Sequence, residues 1–112
     1  MTIFEPGDVV VVPFPFSDLP LSKPRPALVI SSAEANGSNE TTLLAMITTA
    51  SAGRKPSDIE LQDISAAGLR TASILRMKLF TLDNRLISRR VGVLSTADRK
   101  AAGVAVRGLV AL

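Results

Sequence analysis

Arg25 stands between two prolines, in the run Lys23-Pro24-Arg25-Pro26-Ala27. Pro26 pushes the residue before it out of the helical region towards extended backbone, and Pro24 fixes its own φ. The guanidinium is therefore mounted on a stiff main chain, as a cation is when it must meet a fixed anion. A solvated arginine at the start of a strand gives the same local pattern. The stretch before it adds Ser17, Asp18, Ser22 and Lys23. The chain contains neither histidine nor cysteine. That excludes histidine-based ribonuclease chemistry, Ser-His-Asp hydrolysis, histidine or thiolate metal sites and disulfides. With no paired-carboxylate cluster and no glycine-rich phosphate loop, catalysis would have to rest on Arg, Lys, Asp, Glu, Ser or Thr.

The elements that must hold Arg25 flank it. Val9 to Val12 is an unbroken β-branched run, suited to a strand buried on both faces. Gly7-Asp8 marks its start, and Pro13 and Pro15 mark its end. Ala27 to Ile30 predicts a second buried strand. Ser32 to Glu40 is polar, with an Asn36-Gly37 turn signal, and reads as a surface loop. Thr41 to Thr49 returns to strand composition. A basic loop follows, with Gly53, Arg54, Lys55 and Pro56.

Further on, Asp58 to Leu61 alternates as a short strand, and Gln62 to Gly68 predicts a compact turn stopped by the glycine. Thr71 to Met77 predicts a strand, which Leu79 to Leu82 continues or re-enters. After a turn at Asp83-Asn84 comes a strand over Leu86 to Leu94, interrupted by Arg89-Arg90 and by a bulge signal at Gly92. Ser95 opens a helix, with Asp98 at the capping-box spacing. Ala97, Ala101, Val104, Ala105, Leu109 and Leu112 fall on one helical face, which Val106 and Val110 widen; the extra width suits a partner contact, while most such helices simply dock on their own sheet. Short strands with one terminal helix predict a mainly β fold, a small antiparallel barrel or sandwich.

At 112 residues the expectation is one domain, 1–112. Hydrophobic residues make up 46% and the mean hydropathy is +0.32, so the chain is globular. No apolar run approaches the ~20 residues of a membrane span. The opening MTIFEPGD lacks a signal-peptide pattern. A cytoplasmic location is expected. Residues 1–50 carry a net −3 and residues 51–112 a net +6. The basic half suits an acidic partner, a nucleic acid or an acidic protein segment.

The stretch GDVVVVPFPFSDLPLSKPRPALVIS resembles the opening of the MazF/PemK family of bacterial toxins: a Gly-Asp-apolar strand, a polar loop, then Arg-Pro-Ala and an apolar strand. LLAMITTAS is similar to the family's third strand and MKLFTLDNRLISRRVGVLS to its later ones, in the right order, so the likeness spans nearly the whole chain. It implies an SH3-like (CcdB/PemK-like) barrel with added helices. It further implies a type II toxin–antitoxin toxin: a metal-independent, sequence-selective endoribonuclease on single-stranded mRNA, needing no cofactor. Relatives work as homodimers and are silenced by an antitoxin with an acidic tail.

In RNA cleavage without metal, the 2′-hydroxyl attacks the neighbouring phosphorus. Charge on the phosphoryl oxygens must be stabilised and two protons moved. The resemblance maps a catalytic arginine onto Arg25, whose planar fork matches two phosphate oxygens. It maps a catalytic threonine onto Thr48; threonine is also common in strands for its branching. Thr49 is a register-dependent substitute. Many members carry glutamate five positions before the arginine, where this chain has Pro20, so Asp18 either replaces that group or caps a turn. Ser17, Lys23, Arg54, Lys55, Arg76 and Lys78 are candidates for the RNA backbone and Phe16 for stacking, though each such charge is also an ordinary surface group. With no Trp or Tyr, a strong stacking platform is absent, as is the aromatic groove of a peptide-binding SH3 module. The competing function is a toxin of the same fold that poisons DNA gyrase without cutting RNA.

Overall fold

In a computed structural model, which describes residues 2–13 and 23–112, six strands form one antiparallel sheet. In chain order these are β1 (Asp8–Pro13), β2 (Pro24–Val29), β3 (Thr41–Thr49), β4 (Ile59–Glu60), β5 (Ser73–Asp83) and β6 (Arg89–Val93). Helix α1 (Ala33–Asn39) joins β2 to β3, and α2 (Thr96–Leu109) ends the chain. The sheet order is β4-β5-β3-β2-β1-β6. β4 and β6 are not paired with each other, so the sheet is a curled half-barrel, not a closed one.

The valine run behaves as its composition predicts. Val10 and Val12 enter one core with Phe4, Ala27, Val29, Leu44, Phe80 and Ile87. Val9 enters another, on the opposite face, with Leu28, Ala45, Ile47, Leu75 and Ala102 of α2. Alternation along a strand sends successive side chains to opposite faces, and here both faces are covered.

The segment after β4 partly closes the open side. Gly68 has φ +73°, a left-handed conformation that stops the turn. Val93 donates its N–H to the Ala66 carbonyl at 3.0 Å. Gly92 permits this approach: a Cβ there would sit 2.3 Å from the Ala67 carbonyl carbon. The bulge expected at Gly92 falls one residue earlier, since Val9 and Val10 of β1 face Gly92 and Arg90 with Val91 left over. β5 runs unbroken from Ser73 to Asp83 and carries its own bulge at Met77-Lys78.

Three expectations need correction. Ser32 to Glu40 is not a loop: Ser32 caps α1 by accepting from Ala35 N–H at 3.1 Å. Asn36 is not a turn residue but is buried, donating to the Phe4 carbonyl at 3.0 Å and accepting from the Ser31 hydroxyl. Its own carbonyl accepts from Asn84, which in turn accepts from Thr42 at 2.7 Å. This satisfied polar network, not local propensity, justifies the helix. The strand predicted from Leu86 begins only at Arg89, because Asn84–Leu86 forms a 3₁₀ turn capped by Asp83.

The third concerns α2. The face that docks carries Asp98 and Ala102, while Ala97, Val104 and Leu109 are exposed. Ser95 caps the helix by accepting from Asp98 N–H, but the Asp98 carboxylate does not return to Ser95. It accepts instead from Gln62 and Asp63 N–H at 2.9 Å each. An acidic side chain satisfying two main-chain donors outweighs an apolar stripe in setting the rotation of the helix.

Candidate functional site

β2 is held differently along its two edges. On one side it pairs with β1 from Val9↔Leu28 to Pro13↔Pro24. On the other, pairing with β3 stops at Ala27↔Met46. The prolines explain the difference. Ile30 donates to Leu43 in β3, so even-numbered residues of β2 turn their N–H groups towards β3. Beyond Leu28 the next such donors would be residues 26 and 24, and proline has no N–H. Arg25 faces β1, opposite Val12, and keeps its place.

Continuing the stopped register by two residues sets Arg25 opposite Thr48. Both belong by alternation to the face that carries Ala27, Val29, Leu44 and Met46. The two residues thus stand on either side of the open end of the β2–β3 ladder, Arg25 exposed and Thr48 half-buried opposite Ile74 of β5. Thr49 falls on the opposite face, with its hydroxyl 3.0 Å from that of Ser51.

The same face continues across the sheet to Arg76, opposite Met46, and to the β4 edge. Arg76 grips Asp58 twice, Nε to Oδ1 at 3.1 Å and Nη2 to Oδ2 at 2.9 Å, and its Nη2 donates to the Gly53 carbonyl at 2.7 Å. Asp58 also accepts from Lys55 N–H at 2.7 Å. The guanidinium beside it, and then the Lys55 amide, hold the Asp58 carboxyl below its ordinary pKa, against the opposing effect of burial; Asp58 in turn raises that of Arg76. Its side chain is 1% exposed. The Asp58-Ile59-Glu60 alternation signals two carboxylates on one face, but sequence spacing could not say that Arg76 lies opposite the first.

Arg54 and Glu60 form an exposed ion pair at 3.4 Å, of the kind that contributes little to stability. Lys23, Lys55 and Lys78 are exposed. Phe16, Ser17 and Asp18 lie outside the described residues. Among the described residues no group of three or more Asp or Glu gathers as a metal site. No helix there is long and apolar enough to cross a membrane.

The architecture is a curled antiparallel half-barrel with a C-terminal helix. Residues 5–109 match the family of PemK-like, MazF-like toxins of type II toxin–antitoxin systems, and the chain belongs to that family. No curated protein sequence matches it significantly. Among solved structures it is similar to MazF in the MazE–MazF complex of Deinococcus radiodurans, with 19% identity, 96% of each chain covered and a TM-score of 0.76. It is also similar to a mycobacterial endoribonuclease in complex with its cognate antitoxin, with 16% identity, TM-score 0.74, and 97% of this chain and 99% of that one covered. The toxin MazF-mt6 of Mycobacterium tuberculosis is a third, at 16% identity and TM-score 0.71 over 90% and 93% of the two chains. At these identities the likeness establishes the fold.

Proposed function

We propose that this toxin is a metal-independent endoribonuclease that cuts single-stranded mRNA at selected sequences in the bacterial cytoplasm. The 2′-oxygen bonds to the adjacent phosphorus and the bond from phosphorus to the 5′-oxygen breaks. A base takes the proton of the 2′-hydroxyl and an acid gives one to the departing oxygen, leaving a cyclic phosphate and a 5′-hydroxyl. The observation that carries this reading is Arg25 opposite Thr48 across the open end of the ladder. Arg25 stabilises the charge that grows on the phosphoryl oxygens, and it stays protonated throughout. Thr48 donates to the phosphate or orients the 2′-hydroxyl. Asp18 is the candidate for proton transfer, and Ser17, Lys23, Arg54, Lys55, Lys78 and Phe16 are the candidates for contacting the RNA strand.

The partners follow from charge and surface. A net +6 over residues 51–112 favours an antitoxin with an acidic tail. Val104, Leu109, Val110 and Leu112 leave the outer face and end of α2 apolar and exposed, which supports a homodimer through that region.

The test is digestion of a long RNA in EDTA by wild-type and Arg25→Ala protein, with chemical analysis of the new ends. Cutting by the wild type alone, with cyclic phosphate and 5′-hydroxyl ends, is expected. Loss of cutting in chelator, or equal cutting by the alanine variant, would falsify the mechanism. Intact RNA with trapped, cleaved DNA in a gyrase reaction would favour the gyrase-poisoning alternative.

A further inference from the structure

Along one flank of α2 runs a groove of about 390 Å³, between the helix and the end of β2 farthest from Arg25. Leu28, Ile30 and Val106 give it apolar walls, and Arg99, Lys100 and Arg107 stand along it. Among the described residues no acidic side chain lines it, and none of the three cations is in an ion pair. Two glycines seat the guanidinium groups. Arg99 lies across Gly7, where a Cβ would come 3.2 Å from its Nη1. Arg107 folds back across Gly103, where a Cβ would come 3.1 Å from its Nη1. Arg99, Gly103 and Arg107 follow one another at four-residue spacing and form one row on the helix. Glycine is a poor helix former in mid-helix, and here its missing side chain leaves room for a guanidinium inside the groove. Folding back over Gly103 also brings the Arg107 fork one helical turn nearer to Arg99 than its own Cα stands.

We propose that this groove binds a nucleoside di- or triphosphate. Like charges set along one groove repel each other, and a polyanion between them relieves the repulsion. The planar forks of Arg99 and Arg107 each match two phosphate oxygens, and Lys100 adds a point charge. Leu28, Ile30 and Val106 offer apolar surface to the base. A mostly apolar cleft of roughly 300–1,000 Å³ with a few placed polar groups is the form that small-molecule sites take. The groove is separate from the proposed ribonuclease site. Ile30 lies five residues beyond Arg25, roughly 16 Å at 3.3 Å per residue. Leu28 belongs to the core on the α2 side of the sheet, and Arg25 to the opposite face. Nucleotide binding therefore stands or falls apart from RNA cleavage.

The test is calorimetric titration of the full chain with ATP, and in parallel with inorganic triphosphate and with adenosine. The proteins are wild type, Arg25→Ala, Gly103→Ala and the double variant Arg99→Ala/Arg107→Ala. Both arginines are exposed, and alanine favours the helix at position 103, so melting curves should show all four folded. The expected result is one ATP per wild-type chain, with inorganic triphosphate and adenosine each binding at least about tenfold more weakly. Arg25→Ala should bind ATP as wild type does. The double variant should lose at least about tenfold in affinity, and Gly103→Ala, which displaces the Arg107 fork, about threefold. Wild-type protein that takes up no ATP at millimolar concentration would overturn the proposal. So would inorganic triphosphate binding as tightly as ATP, the mark of unspecific attraction of anions. Binding lost in Arg25→Ala and kept in the double variant would place ATP in the RNA site and overturn it as well.

Discussion

Arg25 and Thr48 occupy opposed positions in a register whose ladder has already ended. β2 and β3 are paired through Ala27↔Met46, and the two residues stand one step beyond the next pair. The same prolines that stiffen Arg25 deny β3 its donors, so one sequence feature both mounts the cation and opens the space in front of it. Alternation then assigns the hydroxyl: Thr48 shares the face of Arg25 and Thr49 does not.

The paired threonines give a direct contrast. Thr48→Ala should lower kcat for RNA cleavage by about a hundredfold, the scale of one lost donor to a developing oxyanion. Thr49→Ala, whose hydroxyl meets Ser51, should stay within about threefold of wild type. Oligonucleotide cleavage at saturating substrate reads both, and the reverse order would move the site to the other face of β3.

Pro26→Val should close the gap. Valine supplies the missing N–H towards Ile47 and suits a strand, so the β2–β3 ladder gains a bond. Hydrogen exchange should show the new amide at position 26 protected, with a melting temperature equal to or above wild type. RNA cleavage should fall at least about tenfold as Arg25 is drawn against Thr48. A protected amide with full activity would show that the parted ladder is not needed.

Asp98 links α2 to the turn after β4 and is almost wholly buried. Asp98→Ala leaves the N–H groups of Gln62 and Asp63 without their charged acceptor, a loss of about 2–3 kcal/mol. Urea unfolding should show it as a lower midpoint with little change in slope. Ala97→Ser, on the exposed side of the same helical turn, should fall within about 0.5 kcal/mol of wild type.

Stability should fall in acid partly through Asp58. Arg76 holds its carboxyl below the ordinary 3.8, so the folded state prefers the ionised form more than the unfolded state does. The contribution is therefore complete above that value and is lost as pH falls through the lower folded-state pKa. Melting curves from pH 6 to pH 2 should drop less steeply for Asp58→Asn than for wild type in the acid limb. Parallel curves would show that the ion pair carries no linkage.

Much of the fold can be read locally. Thr41 to Thr49 is a strand with those bounds, because β-branched and apolar residues run between a polar segment and a glycine-bearing loop. The two-sided burial of the valine run follows from the absence of any polar residue in it. Asn36 deceives, since Asn-Gly is a turn signal only where the asparagine has nothing better to bind. Here Phe4 and Asn84 supply partners from distant parts of the chain, and Ser31 adds a nearby one. Ala97 and Val104 deceive for the opposite reason: helical periodicity counts apolar side chains and cannot weigh a carboxylate that finds two main-chain donors 35 and 36 residues away.

Sequence alone determined the stiff setting of Arg25, the absence of histidine and cysteine chemistry, and the basic half of the chain, because each depends on residue type and nearest neighbours. Tertiary structure decided which threonine faces Arg25, that Arg76 is bound to Asp58, and which side of α2 docks. Those outcomes depend on register and on partners brought together by the folded sheet, and a linear order of residues contains neither.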